Sequence, residues 1–221
     1  AHVRADLGFR PDCVEVIPNG LDFNRIDRAP AAARVDFGID ERVPLIVWAG
    51  RMDPVKNMET FVDVIGRVRE SLDVRGLLLG DGVHRSSIET YVNNSGLHEV
   101  ISMPGWSEAV AAWLKTADVL LLPSRTEGCP NVVLEAMACG CAVVASDAAG
   151  CAELIRPGET GEVYPADDVD GFARGVIRLL TEPDRRRRYL SGARASVIQG
   201  YGIQDVVDRW RSTYDRLMMN S

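Results

Sequence analysis

Short, unbroken apolar runs recur along the sequence with amphipathic segments between them, and this alternation restricts the fold more than any other feature. The runs are Val14-Glu15-Val16-Ile17, Leu45 to Ala49, Gly76 to Leu79, Val100 to Met103, Val119 to Leu122 and Ala142 to Ala145. They do not alternate polar with apolar, which is the pattern of strands covered on both faces of a parallel sheet. Between them, Met58, Phe61, Val62, Ile65, Val68 and Leu72 step by three and four, as do Val169, Phe172, Ala173, Val176, Ile177 and Leu180. Near the end Ile203, Val206, Val207, Trp210, Tyr214 and Leu217 repeat that spacing. Strands alternating with helices predict an α/β domain, a doubly wound parallel sheet of Rossmann-like type. At 221 residues the chain is long enough for one large domain or two small ones. No linker or low-complexity tract divides it.

Composition narrows the function classes. Lys and Arg number 25 against 32 Asp and Glu, a net charge of -7, which argues against a general nucleic-acid partner. A small anionic ligand at a local basic spot remains compatible. The only lysines are Lys56 and Lys115. The sequence has no apolar run long enough to span a bilayer and no signal-peptide core. Five cysteines read as small buried hydrophobes in a reducing compartment, and Cys139-x-Cys141 lacks the spacing of a zinc or redox pair. The expected setting is cytoplasmic, with a peripheral position at the inner membrane face open for a longer enzyme.

Ligands of such sheets bind at the carboxyl ends of the strands. The turns there hold Gly50-Arg51 with Lys56-Asn57, Gly80-Asp81-Gly82, Pro104-Gly105-Trp106, and the segment from Pro123 to Asn131. Neither glycine-bearing turn completes a dinucleotide fingerprint, which speaks against an NAD site. From Val132 to Cys139 every residue except Glu135 is apolar, so a helix starting with Pro130 at its first position and stopping at Gly140 should be buried. A carboxylate there is costly unless hydrogen-bonded. It reads either as a structural group satisfied by an arginine or by backbone amides, or as a ligand group. Glu127 lies just before the same helix, and Gly128 would let a ligand approach its free amides, a ready anion site. Two carboxylates flanking phosphate-binding amides suit a sugar–diphosphate–ribose ligand. Asp168-Val169-Asp170 reads as capping charge for the following helix, Arg185 to Arg188 as a solvated face, and His2, His84 and His98 as ordinary.

Glu127 and Glu135 stand within Ser-x-x-Glu-Gly-x-Pro-Asn-x-x-Leu-Glu-Ala-Met-Ala-x-Gly, which resembles the signature of the group 1 (family 4) retaining glycosyltransferases of GT-B fold. Other segments agree in order. Ile17 to Asp22 resembles the opening of that family's C-terminal domain, Gly50-Arg51 with Lys56-Asn57 its Gly-Arg…Lys-Asn phosphate clamp, and Gly80-Asp81-Gly82 its Gly-x-Gly turn. Ala142 to Ser146 and Glu153-Leu154-Ile155 with Gly158-x-x-Gly161 complete the run. The resemblance implies the donor-binding half of a GT-B enzyme. Residues 1–13 would end an interdomain connection, 14–202 would form the nucleotide-sugar domain, and 203–221 would cross back to an absent N-terminal domain. Glu135 would hold the ribose, Glu127 the donor-sugar hydroxyls, and Arg51 and Lys56 the diphosphate. Gly50, Gly80, Asp81, Gly82, Gly128, Cys129, Pro130 and Asn131 would complete the donor site, with backbone near Met103 and Pro104 facing the base. The implied partners are a UDP-, GDP- or ADP-linked sugar and a glycan or lipid-linked acceptor, with no metal and no other cofactor. Arg51 also reads as a solvated surface arginine. A nucleotide-sugar epimerase-like enzyme and a non-catalytic domain paired with an active partner are the competing readings.

Overall fold

The structure, a computed structural model, describes residues 14–219; the expected interdomain connection at 1–13 lies outside them. In chain order the elements are α1 (Phe23–Arg28), β1 (Leu45–Ala49), α2 (Met58–Arg69), β2 (Arg75–Leu79), α3 (Arg85–Asn94), β3 (Ile101–Gly105), α4 (Val110–Thr116), β4 (Val119–Leu122), α5 (Asn131–Cys139), β5 (Ala142–Ser146), α6 (Ala149–Leu154), β6 (Glu162–Tyr164), α7 (Val169–Thr181), α8 (Pro183–Gly200) and α9 (Ile203–Met219). Every strand pairs parallel to its neighbours in the order β3-β2-β1-β4-β5-β6. β1, β4 and β5 are buried along their whole length, as their unbroken apolar runs require. Among the helices, α2 packs with α3 and α7, α5 packs with α1, α4 and α8, and α7 also meets α8.

Two strand readings change. Val14 to Ile17 joins no sheet; it lies along α9, where Arg209 donates to the Val16 carbonyl at 3.0 Å and Glu15 accepts from Thr213 at 3.0 Å and pairs with Arg216. β6, which carries a buried Glu162, was hidden because a three-residue edge strand holding a charge has no apolar signature. The arginine run also splits. Arg187 stays solvated beside Asp184, but Arg186 pairs with Asp118 at 2.9 Å at the base of β4, and Arg185 is 3.9 Å from Glu162. Asp168 caps α7 as its sequence position suggests, accepting from the Gly171 amide at 2.8 Å. No helix among the described residues is long and apolar enough to cross a membrane.

The sheet order reverses between β1 and β4, so their carboxyl ends splay apart and open a crevice. Close approach of the β1 and β2 ends depends on glycine. A Cβ on Gly80 (φ +148°) would lie 1.9 Å from the Gly50 carbonyl oxygen. Gly80→Ala is therefore expected to cost roughly 2–4 kcal/mol and lower Tm by about 5–12 °C in calorimetry.

Candidate functional site

The crevice holds a cavity of about 330 Å³. Its floor is Ala49 and Leu122, the last residues of β1 and β4, with Val110 at one side. Gly50, Lys56, Glu127, Cys129, Pro130, Asn131, Val132 and Glu135 complete the lining. Residues from three separate stretches of sequence thus converge where a doubly wound sheet places its ligand.

α5 begins at Asn131 with Pro130 as its N-cap, one position later than the sequence suggested. Its first intrahelical bond runs from the Val133 amide to the Pro130 carbonyl at 3.0 Å. The Asn131 and Val132 amides precede that bond at the positive end of the helix dipole. Asn19 braces this end: its side-chain amide donates to Asn131 Oδ1 at 2.7 Å and to the Cys129 carbonyl at 3.4 Å. Sequence reasoning gave Asn19 no role, although it belongs to the Ile17-Pro18-Asn19-Gly20 segment. The Glu127 carbonyl accepts from the Gly150 amide at 3.0 Å, and a Cβ on Gly150 would meet the Gly128 oxygen at 2.4 Å, so the start of α6 fits closely under this loop.

Glu127 is nearly buried, its side chain 8% exposed, and its Oε1 accepts from Lys56 Nζ at 2.8 Å. The only lysine near the cavity thus stands with its charge already matched. Glu135 contrasts with this. It is half-buried on α5 and makes no hydrogen bond or ion pair among the described residues. Desolvation pushes its carboxyl above the ordinary range, with the charge of Arg25 pulling weakly the other way. Among the described residues neither an arginine nor a backbone amide hydrogen-bonds to Glu135. Behind it a second cavity of about 440 Å³ opens between α1 and α4, with Asp22, Arg25, Glu108, Asn131 and Glu135 among its walls.

A raised carboxyl pKa means that ionising Glu135 costs the folded chain stability. The cost is absent below the ordinary carboxyl range and complete once pH exceeds the folded value. Glu135→Gln is accordingly expected to raise Tm by about 2 °C at pH 8, with the gap closing near about pH 4, in unfolding scans at the two pH values.

The remaining predicted positions are spread more widely. Arg51 is 79% exposed and paired with Asp53, and it lines an adjoining cavity of about 430 Å³ with Gly50, Gly80, Asp81 and Trp106. Gly82 packs on the Met52 backbone, and the Met103 carbonyl accepts from Arg85 at 2.7 Å. Pro104 and Gly128 are exposed. None of these last four lines the three cavities. Asn57, the partner of Lys56 in the clamp motif, is buried and outside them too. His84 pairs with Glu59 at 2.7 Å, away from the crevice. Cys129, Cys139, Cys141 and Cys151 are free, and burial holds the Cys139 thiol up at about 11 and that of Cys151 at about 12.

The family model "Glycosyl transferases group 1" matches residues 43–182, well over half of the chain. The chain belongs to the group 1 glycosyl transferases. N-acetyl-alpha-D-glucosaminyl L-malate synthase of Bacillus anthracis is 28% identical over 179 residues, which are 81% of this chain and 47% of that protein. This group 1 transferase chain therefore spans about half the length of that curated relative. Among solved structures, Anabaena HepE in complex with UDP and glucose superposes with a TM-score of 0.86 at 20% identity, over 95% of this chain and 59% of that one. The C-terminal domain of a group 1 family glycosyl transferase from Francisella tularensis gives a TM-score of 0.70 at 24% identity, covering 83% of this chain and 100% of that one. The fold is that of a C-terminal GT-B domain.

Proposed function

We propose that the chain is the nucleotide-sugar-binding half of a retaining glycosyltransferase. The observation that carries this is Glu135, a desolvated carboxylate with no hydrogen bond or ion pair among the described residues, lining a cavity that also holds Lys56 and the start of α5. Ribose hydroxyls donating to Glu135 would supply the missing partners. Glu127 would accept from hydroxyls of the donor sugar. The reaction breaks the bond from the anomeric carbon to the diphosphate oxygen, whose electron pair leaves with the diphosphate, while an acceptor hydroxyl oxygen bonds that carbon on the same face and gives its proton to the departing diphosphate. Lys56 and the α5 amides are placed to take up that charge, an electrostatic contribution set before the reaction begins. Arg51 would join them by leaving Asp53 and turning from the adjoining cavity. A UDP-linked donor is one candidate, since Anabaena HepE, which shares this fold, holds UDP and glucose, and Cys129, Cys139, Cys141 and Cys151, free among the described residues, suit a reducing, cytoplasmic setting.

The acceptor, a glycan or lipid-linked glycan, and an N-terminal GT-B domain would complete the reaction. Trp210 and Tyr214 on α9 are exposed and stacked with centroids 5.9 Å apart, and with Leu217 they would form the surface where that domain docks. The chain alone should bind donor but turn over little or nothing. Calorimetric titration with UDP, GDP and ADP tests the reading. One nucleotide should bind, and Glu135→Ala should weaken it by about tenfold or more. No binding at millimolar nucleotide would sink the donor-site assignment, and unchanged binding by Glu135→Ala would sink the ribose role.

A further inference from the structure

Asn57 follows Lys56 in the segment that resembles a phosphate clamp, yet its side chain lies away from the cavity. It is 1% exposed. Its backbone is left-handed, with φ 55° and ψ 46°, between the short turn Pro54–Lys56 and α2. Asparagine tolerates this region better than other residues with a Cβ. Its amide nitrogen donates both hydrogens, to the Pro123 carbonyl at 3.1 Å and to the Ala166 carbonyl at 2.9 Å. Pro123 starts the loop that carries Glu127, and Ala166 belongs to the loop between β6 and α7.

A second bond acts on the other side of Lys56. The Arg125 amide donates to the Val55 carbonyl at 2.8 Å. The residues immediately before and after Lys56 are thus both tied to the loop that carries Glu127. Arg125 also pairs with Asp167 at 2.8 Å, which joins the β6–α7 loop to the same assembly. A lysine stem is flexible, and fixing its ammonium in one place costs side-chain entropy unless the backbone beneath it is held.

We propose that Asn57 is a positioning residue for the donor site: it binds no ligand, and its amide holds the Lys56 turn against the Glu127 loop so that the ammonium points into the cavity. The inference deepens the donor-site reading, on which the role of Lys56 rests. It separates Asn57 from the phosphate-contacting role its place in the motif suggests.

The test uses the chain labelled with ¹³C at lysine ε-carbons, which gives signals from Lys56 and Lys115 alone. Lys115 donates to the Ala29 carbonyl at 2.6 Å and the Asp27 carbonyl at 3.0 Å, and serves as internal reference. Asn57→Gly keeps the left-handed turn and removes the amide; Asn57→Asp keeps the size and removes the donors. In both, the Lys56 signal should move toward that of a free lysine while Lys115 stays in place, and UDP affinity should fall by about 3- to 10-fold. An unmoved Lys56 signal with unchanged UDP affinity would overturn the proposal. Collapse of both lysine signals in both variants would overturn it too, because Asn57 would then support the whole fold. A moved Lys56 signal in a chain whose wild type binds no nucleotide would uphold the positioning role and refute the donor-site reading.

Discussion

Lys56→Ala is expected to lower the affinity of the chain for UDP by about 10- to 100-fold. A charge-assisted contact to a diphosphate contributes roughly 1.5–3 kcal/mol, and each 1.4 kcal/mol is about tenfold in affinity. Loss of the contact is only part of the effect. Glu127, 8% exposed, would be left with an unmatched charge beside the incoming diphosphate. The same change should therefore destabilise the free chain by about 1–3 kcal/mol, less than for a fully buried pair because the Lys56 side chain is 22% exposed. Glu127→Gln in the Lys56→Ala background should recover part of that stability, since it removes the stranded charge. Of the UDP affinity it should recover only the part lost to that charge, and not the part lost with the lysine contact. Titration and denaturant unfolding of the two single variants and the double variant measure both effects. UDP affinity within about twofold of wild type in Lys56→Ala would show that the diphosphate lies elsewhere.

The second large effect lies outside the donor site. Glu162 on β6 accepts from the Tyr189 hydroxyl at 3.0 Å and the Tyr164 hydroxyl at 3.1 Å, with Arg178 at 3.4 Å and Arg185 at 3.9 Å. Tyr189 is 2% exposed, so the carboxylate is the acceptor that its buried hydroxyl relies on. Removing the carboxylate leaves that hydroxyl without this acceptor and two guanidinium groups without their shared counter-charge. Glu162→Ala is expected to cost roughly 2–4 kcal/mol and lower Tm by about 5–12 °C, with UDP affinity unchanged. Glu162→Gln, whose single amide oxygen can keep only one of the two hydroxyl bonds, should cost less than Glu162→Ala because it keeps that acceptor and the side-chain volume. A Tm within about 2 °C of wild type for Glu162→Ala would mean that the network adds little beyond what water supplies.

What the sequence disclosed follows from how local each signal is. The strands at 45–49 and 119–122 were legible because both their faces are covered, so their apolar character is unbroken. Glu127 and Glu135 were legible because a carboxylate in an apolar helix, and another at its start, conflict with burial alone. Features that depend on distant pairing were not legible. Val14 to Ile17 has the composition of a strand, but the Leu21–Gly202 bridge and the contacts of Glu15 and Val16 with α9 hold it beside the last helix. Arg185 and Arg186 look like their solvated neighbour Arg187 until α8 is laid against Glu162 and Asp118. Arg34 is 6% exposed and pairs with Asp118 at 2.9 Å across a long sequence separation, which no local pattern announces. Asn57 and Asn19 fell within recognisable motifs, yet their parts in the structure come from bonds to loops far away in sequence.

The central claim is that the crevice between β1 and β4 is where a nucleotide diphosphate binds, held by Glu135, Lys56 and the start of α5. The direct measurement is the map of backbone amide chemical-shift changes in the isotope-labelled chain as UDP is added. The largest changes should fall on Gly50, Lys56, Glu127 to Cys129, Asn131, Val132 and Glu135, with residues of α8 unmoved and the changes at Asn131 and Val132 diminished when uridine replaces UDP. No shift at millimolar UDP, GDP or ADP, or shifts gathered away from that crevice, would contradict the claim.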